Sequence, residues 1–177
     1  MEFKLLTPTD KYHSALVELY IHCFSSGISE QYIDSNELNA YISKIEEKGI
    51  SVLALENGLV AGAILGYPLS EDTDLPDKIR KNYKPEQCLY IAELMVSENF
   101  RGRGIGGKLI DKLITSEECN TYTDAFIRVW DQNVTALQLY RKNGFADKAT
   151  IQQTKRRANG TDTFEMTKIY LHKKLHD

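Results

Sequence analysis

Apolar positions along the chain fall into two rhythms, and the change from one to the other outlines the elements. Ala15, Leu16, Leu19, Tyr20 and Cys23 recur at helical spacing after Thr9-Asp10, a pair suited to N-capping. Leu38, Tyr41, Ile42 and Ile45 repeat the pattern and predict a second helix from Ser35 to Lys48, with Gly49 as its C-cap. "FKLL" reads as a short strand ahead of both, and "SSGIS" separates the helices. "SVLALENGLVAGAILGY" holds two apolar runs around Asn57-Gly58, the strongest short-range hairpin signal. "CLYIAELMV" and "DAFIRVW" are further strands, each followed by a helical pattern. The first of these helices carries Ile105, Leu109 and Leu113 and runs to about Ser116; the second is "NVTALQLYRKNGF", capped by Asn133 and ended by Gly144. Two strands around Asn159-Gly160 close the chain.

Between the first hairpin and Cys88 lies "PLSEDTDLPDKIRKNYKPEQ", which is polar and holds three of the four prolines. It exceeds the usual connection length, so it is expected to be a lid over a site or to carry a short helix near Lys78 to Asn82. The order β-α-α-β-β-β-α-β-α-β-β predicts a mixed α/β (α+β) domain spanning 1–177, with one central, mostly antiparallel sheet of six or seven strands and about four flanking helices.

Composition narrows the function classes. With 177 residues, 42% hydrophobic and 27% charged, the chain is long enough for a buried core and has the balance of a globular domain. A formal net charge of −3 offers no bulk field for nucleic acid or an anionic membrane. Cys23, Cys88 and Cys119 are widely spaced and unpaired in pattern, and His13, His22, His172 and His176 show no metal spacing, so neither a disulfide framework nor a metal site is expected. The start "MEFKLLTPTD" lacks a signal-peptide pattern, and the expected location is the cytoplasm.

The stretch "RGRGIGGKL" carries the chemistry, and it fits three phosphate-binding patterns. A dinucleotide fingerprint wants its first glycine directly after a strand, whereas "SENFR" intervenes between Val96 and Gly102. A Walker loop wants Ser or Thr after the lysine to ligate magnesium, whereas Leu109 stands there on the apolar stripe. The third pattern, [QR]-x-x-G-x-G, is met by Arg101, Gly104 and Gly106, with the free amides of a helix N-terminus facing an anion.

"LYIAELMVSENFRGRGIGGKLIDKLI" resembles the acetyl-CoA-binding motif of the GNAT superfamily of N-acetyltransferases, and "NVTALQLYRKNGF" resembles that family's second signature. The resemblance implies acetyl transfer from acetyl-CoA to a primary amine of a small molecule or peptide, with no metal; the alternative is a catalytically weak acyl-CoA-binding or regulatory module of the same fold. It implies that Leu94, Met95 and Val96 pair with the pantetheine arm through backbone groups. Gly102, Arg103, Gly104, Ile105, Gly106 and Gly107 would hold the pyrophosphate, with side-chain charge from Arg101 and Arg103, while Asn133 would contact the cofactor. Tyr140 would protonate the departing thiolate. An acceptor ammonium must lose its proton before attack, and Glu93 is the first candidate base, Asp131 the second. Arg128 stands where some relatives carry a glutamate, which leaves the base open. Partners beyond acetyl-CoA and an amine are not indicated, and a homodimer is compatible with the pattern.

Overall fold

The computed structural model describes residues 1–7, 11–25 and 30–176. The expected capping pair Thr9-Asp10 and most of "SSGIS" lie outside the described residues. In chain order the elements are β1 (Glu2–Leu5), α1 (His13–Phe24), α2 (Ser35–Lys48), β2 (Ile50–Glu56), β3 (Leu59–Pro68), α3 (Asp77–Asn82), β4 (Cys88–Val96), α4 (Ile105–Ile114), β5 (Asp124–Trp130), α5 (Val134–Lys142), β6 (Ala146–Arg156) and β7 (Thr163–Lys174). Seven strands form one sheet in the order β1-β2-β3-β4-β5-β7-β6, and β4–β5 is its parallel pair. The helices number five because the short helix of the polar connection forms as α3, one beyond the approximate count from the sequence.

Local chemistry accounts for most boundaries. Asp34 caps α2 by accepting from the Asn36 and Glu37 amides at 2.8 and 3.0 Å. Asn57 and Gly58 have φ of 52° and 79°, the double left-handed pair of a tight hairpin turn. The Asn159-Gly160 turn is longer, spanning 157–162, because Asn159 accepts through its side chain from the Thr161 and Asp162 amides instead of turning left-handed itself. Gly49 follows α2 with φ −110°, so it is not a left-handed cap; a Cβ there would stand 2.2 Å from the Gly66 carbonyl oxygen, and close backbone approach to β3 is what requires glycine.

The sheet is covered on both faces. Val52, Ala54, Leu89 and Ile91 face α4 and α5, and pack with Ile105, Leu109, Leu113, Leu137 and Tyr140. Leu53, Leu55, Ala63 and Met95 point the other way, onto Leu16, Leu19, Leu38, Ile42 and Ile45 of α1 and α2. Farther along that second face, Leu69, Leu75 and Ile79 from the polar connection cover Tyr90, Phe126 and Tyr170. The two helical covers of this face leave between them a stretch of sheet around Glu93, and a cleft opens there.

Candidate active site

β4 and β5 pair only over Cys88–Ile91 and Asp124–Ile127. Beyond that point β4 continues against β3 and β5 against β7, so the two parallel strands part and leave an opening in the middle of the sheet. The backbone of β4 from Ala92 to Val96 is therefore an edge facing that opening, as the sequence reading of Leu94, Met95 and Val96 requires. Met95 is itself 1% exposed and its side chain belongs to the core, so any ligand here meets main chain.

A bulge sets the direction of Glu93. In the β3–β4 register Gly66 faces Ile91 and Leu65 faces Glu93, which makes Ala92 an extra residue in β4. Two positions apart in a regular strand, Ile91 and Glu93 would share a face; the inserted residue reverses this. Ile91 packs toward α4, whereas Glu93 emerges on the α1–α2 face and accepts a hydrogen bond from the Tyr41 hydroxyl at 2.9 Å. Burial raises its carboxyl to about 7, against the lowering exerted by the Tyr41 hydrogen bond and by Lys168, Arg128 and Lys155. A carboxyl poised near neutrality can take and release a proton under ordinary conditions.

Tyr140 of α5 packs in the core on the α4–α5 face of the sheet, 6% exposed and with its ring edge-on to Phe145 at 6.4 Å between centroids. Burial first, and the Glu93 carboxylate second, push its phenol above the ordinary value, so it remains protonated and able to donate. The Glu93 carboxylate and the Tyr140 phenol thus act on one another although they belong to opposite faces of the sheet.

After Val96 the chain makes one short turn and enters the glycine loop. Gly102 and Gly104 have φ of 76° and 72°, and a Cβ at either would meet open space, so the glycines are required by conformation and not by crowding. Among the described residues, none of the amides from Gly102 to Gly107 donates to a protein acceptor, and those of Ile105 to Gly107 form the first turn of α4. Gly106 serves a different end from the one its motif position suggests: its missing Cβ would stand 2.9 Å from Leu139 Cδ2, which lets α4 approach α5. Arg101 donates through Nε to the Val96 carbonyl at 3.2 Å, and Arg103 pairs with Glu56 at 3.0 Å while lying 5.1 Å from the Phe100 ring centroid. The free backbone amides and the remaining guanidinium N–H groups are the loop's donors. Asn133 accepts from the Ala136 amide at 3.2 Å and caps α5.

These features, a glycine loop with free amides behind a parted strand pair, coincide with a family match. A model of the Acetyltransferase (GNAT) family matches residues 13–145. The chain belongs to the GNAT acetyltransferase family. Among curated proteins, N-alpha-acetyltransferase 40 of Saccharomyces cerevisiae is 23% identical over 111 residues, a stretch that covers 59% of this chain and 39% of that protein. The chain therefore matches about two-fifths of that relative's length. Among solved structures, the ribosomal-protein-alanine N-acetyltransferase of Brucella melitensis superposes with TM-score 0.74 at 17% identity, covering 98% of this chain and 99% of that one. yncA of Salmonella typhimurium, solved with its cofactor acetyl-CoA, superposes with TM-score 0.72 at 17% identity over 100% of this chain and 96% of that one. At these identities the structural matches establish the GNAT fold.

Within the GNAT fold the remaining candidates fall into place or away from it. Asp131 ends β5 and accepts from its neighbour Gln132 at 3.2 Å; the cleft gathers around Glu93 instead. Arg128 is committed elsewhere: it donates to the Tyr170 hydroxyl at 2.8 Å and pairs with Asp74 at 3.1 Å and Asp72 at 3.4 Å, tying the polar connection to β5 and β7. Burial raises all three thiols, Cys88 to about 12 and Cys119 to about 11, so none is a ready nucleophile. Among the described residues no group of three His, Cys, Asp or Glu could hold a metal ion, and no helix is long and apolar enough to cross a membrane.

The structure also brings forward residues the sequence alone passed over. The cleft beside Glu93, of about 330 Å³, is walled by Tyr20, Phe24 and Tyr41 from the two helices and by Lys155 and Arg156 from β6. Lys168 of β7 is the largest opposite charge acting on Glu93. Its signal was the alternation of "MTKIYLH" in β7, where Met166, Lys168 and Tyr170 share a face.

Proposed function

We propose that this protein transfers the acetyl group of acetyl-CoA directly to a primary amine held in the cleft beside Glu93. The observation that carries the reading is the parting of β4 from β5 beside Glu93, whose carboxyl burial raises to about 7, with the Tyr140 phenol held protonated by burial and by the Glu93 carboxylate.

The chain's residues fit acetyl-CoA on two counts. The amides of Gly102 to Gly107 offer a row of donors with no protein partner among the described residues, suited to a pyrophosphate at a helix N-terminus. The backbone of Leu94 to Val96 has no ladder partner in β5, with the Val96 carbonyl met by Arg101, an edge suited to the amide-bearing pantetheine arm. When bound, acetyl-CoA supplies the activated thioester carbonyl.

Glu93 Oε atoms take the proton of the acceptor ammonium, directly or through a water, with Tyr41 holding the carboxyl in place. Tyr140 Oη is the proton donor to the thiolate as it departs. A backbone amide of the exposed β4 edge serves the carbonyl oxygen as it gains charge. Fixing amine and thioester side by side removes much of the entropic barrier, so no covalent enzyme intermediate is called for, in keeping with three thiols whose pKa burial raises, Cys88 and Cys119 fully buried and Cys23 partly so.

The test is thiol release from acetyl-CoA across an amine panel, with Tyr140→Phe beside the wild type. Amine-dependent release, weakened in the variant while acetyl-CoA still binds, is the expected result. Binding of acetyl-CoA without amine-dependent release in the wild type would favour an acyl-CoA-binding module, and equal rates for the two proteins would remove Tyr140 as the acid.

A further inference from the structure

The cleft carries a charge arrangement that bears on what enters it, and this inference rests on the transfer reading above. Register fixes the neighbours: Lys168 faces Trp130 across β5–β7 and Ile151 across β6–β7, while Lys155 lies four pairs farther along β6, opposite Phe164. By strand alternation Ile151, Gln153 and Lys155 share one face of β6, and Phe164, Met166 and Lys168 share the same face of β7. That face continues through Arg128 of β5, which pairs with Tyr170. Both lysines are half-buried, both act on Glu93, and Lys155 lines the cleft directly.

Among the described residues neither lysine has a carboxylate within ion-pair distance. Arg128 spends its charge on Asp72 and Asp74, and Arg156 lies over the Tyr32 ring at 5.4 Å. Asp34, at the outer end of the cleft, uses its carboxylate to cap α2. Glu93 offsets only part of this charge: burial, Lys155 and Arg128 lower the Lys168 ammonium to about 8, each outweighing the raising exerted by the Glu93 carboxylate. Two half-buried ammonium groups thus stand beside the proposed amine site with no carboxylate in ion-pair contact, although Glu37 also lines the cleft. A second cation on the acceptor would add to that repulsion, whereas an anion would relieve it and gain charge-assisted hydrogen bonds.

We infer that the acceptor is an amine bearing an anionic group, a carboxylate or a phosphate, which sits on Lys168 and Lys155 while its amine meets Glu93. The aromatic wall of Tyr20, Phe24 and Tyr41 then covers the acceptor's apolar body.

Matched acceptors test this on the intact chain. Phenylalanine is compared with phenylalaninamide, phosphoethanolamine with ethanolamine, and putrescine serves as the dicationic control. The expected result is a kcat/KM at least tenfold higher for the anionic member of a pair, the scale of one charge-assisted contact. The pair with the larger ratio tells carboxylate from phosphate. In Lys168→Met that ratio falls toward one, and Lys155→Met gives an independent reduction; acetyl-CoA binding by calorimetry reports that each variant is folded. Preference for the neutral members or for putrescine, or an unchanged ratio in both variants, overturns the inference while leaving acetyl transfer standing. Absence of thiol release with every amine overturns both.

Discussion

Replacing Glu93 by glutamine separates its proposed chemistry from its structural cost, because the two have opposite signs. Gln keeps the shape and can still meet the Tyr41 hydroxyl, but it cannot accept a proton as a base does. A positioned base contributes about 10²- to 10⁴-fold, so Glu93→Gln should lower kcat/KM by at least about 100-fold. In the wild type, kcat/KM should rise with pH through about 7, since only the carboxylate is competent. One pH unit below that value the rate should be about tenfold under the plateau, and the variant should lack this limb. Stability runs the other way. The folded-state pKa lies above the ordinary carboxyl value of 4.5, so the folded state favours the protonated acid. The associated stability is fully present below about 4.5 and is lost as pH rises to about 7. A rise of about 2.5 units corresponds to roughly 3 kcal/mol as an upper bound, with water access reducing it. Glu93→Gln should therefore melt higher than wild type at pH 8 and show little difference at pH 4.5. Initial rates of thiol release and thermal melts over pH 5 to 9 give both readouts. A variant within about threefold of wild-type activity, or one that keeps the limb near pH 7, would refute the role of Glu93.

Other substitutions read other parts of the site. Tyr140→Phe should cut kcat by about 10- to 100-fold with acetyl-CoA affinity unchanged by calorimetry, because a phenol donor is lost without altering the cofactor's backbone contacts. Gly104→Ala should cost about 1–2 kcal/mol in a denaturant melt and weaken acetyl-CoA binding, since φ of 72° is strained for alanine although space is free. Gly106→Ala should be milder in the same assays, because its contact, Leu139 Cδ2, is the movable end of a side chain. Arg128→Met should destabilise by about 3–5 kcal/mol, since it strands the Asp72 carboxylate, 3% exposed, beside the Tyr170 hydroxyl; loss below about 1 kcal/mol would place little of the connection's stability in this cluster.

What the chain made legible was local. Asn57-Gly58, Asn133 before α5 and Gly144 after it act within a few residues, and the elements they bound stand where hydrophobic periodicity puts them. The use of the Leu94 to Val96 backbone by a cofactor followed from a family resemblance carried by short motifs. What escaped was set by register and by distant partners. The extra residue at Ala92 exists only relative to β3, yet it decides which face Glu93 takes. Tyr41 reaches Glu93 across 52 positions, and Arg128 reaches Asp74 and Asp72 across 54 and 56, distances over which no spacing rule operates. Gly106 shows the converse: a motif glycine whose immediate reason is the approach of two helices.

The central claim is direct transfer from acetyl-CoA to an amine at the opening between β4 and β5. Initial velocities of thiol release, measured with both acetyl-CoA and an accepted amine varied, test it most directly when paired with mass spectrometry of the product and of the protein. The account predicts intersecting double-reciprocal lines, an amine heavier by one acetyl group, and no acetylated enzyme. Parallel lines with an acetyl group on Cys23, Cys88 or Cys119, or binding of acetyl-CoA with no amine acetylated, would contradict it.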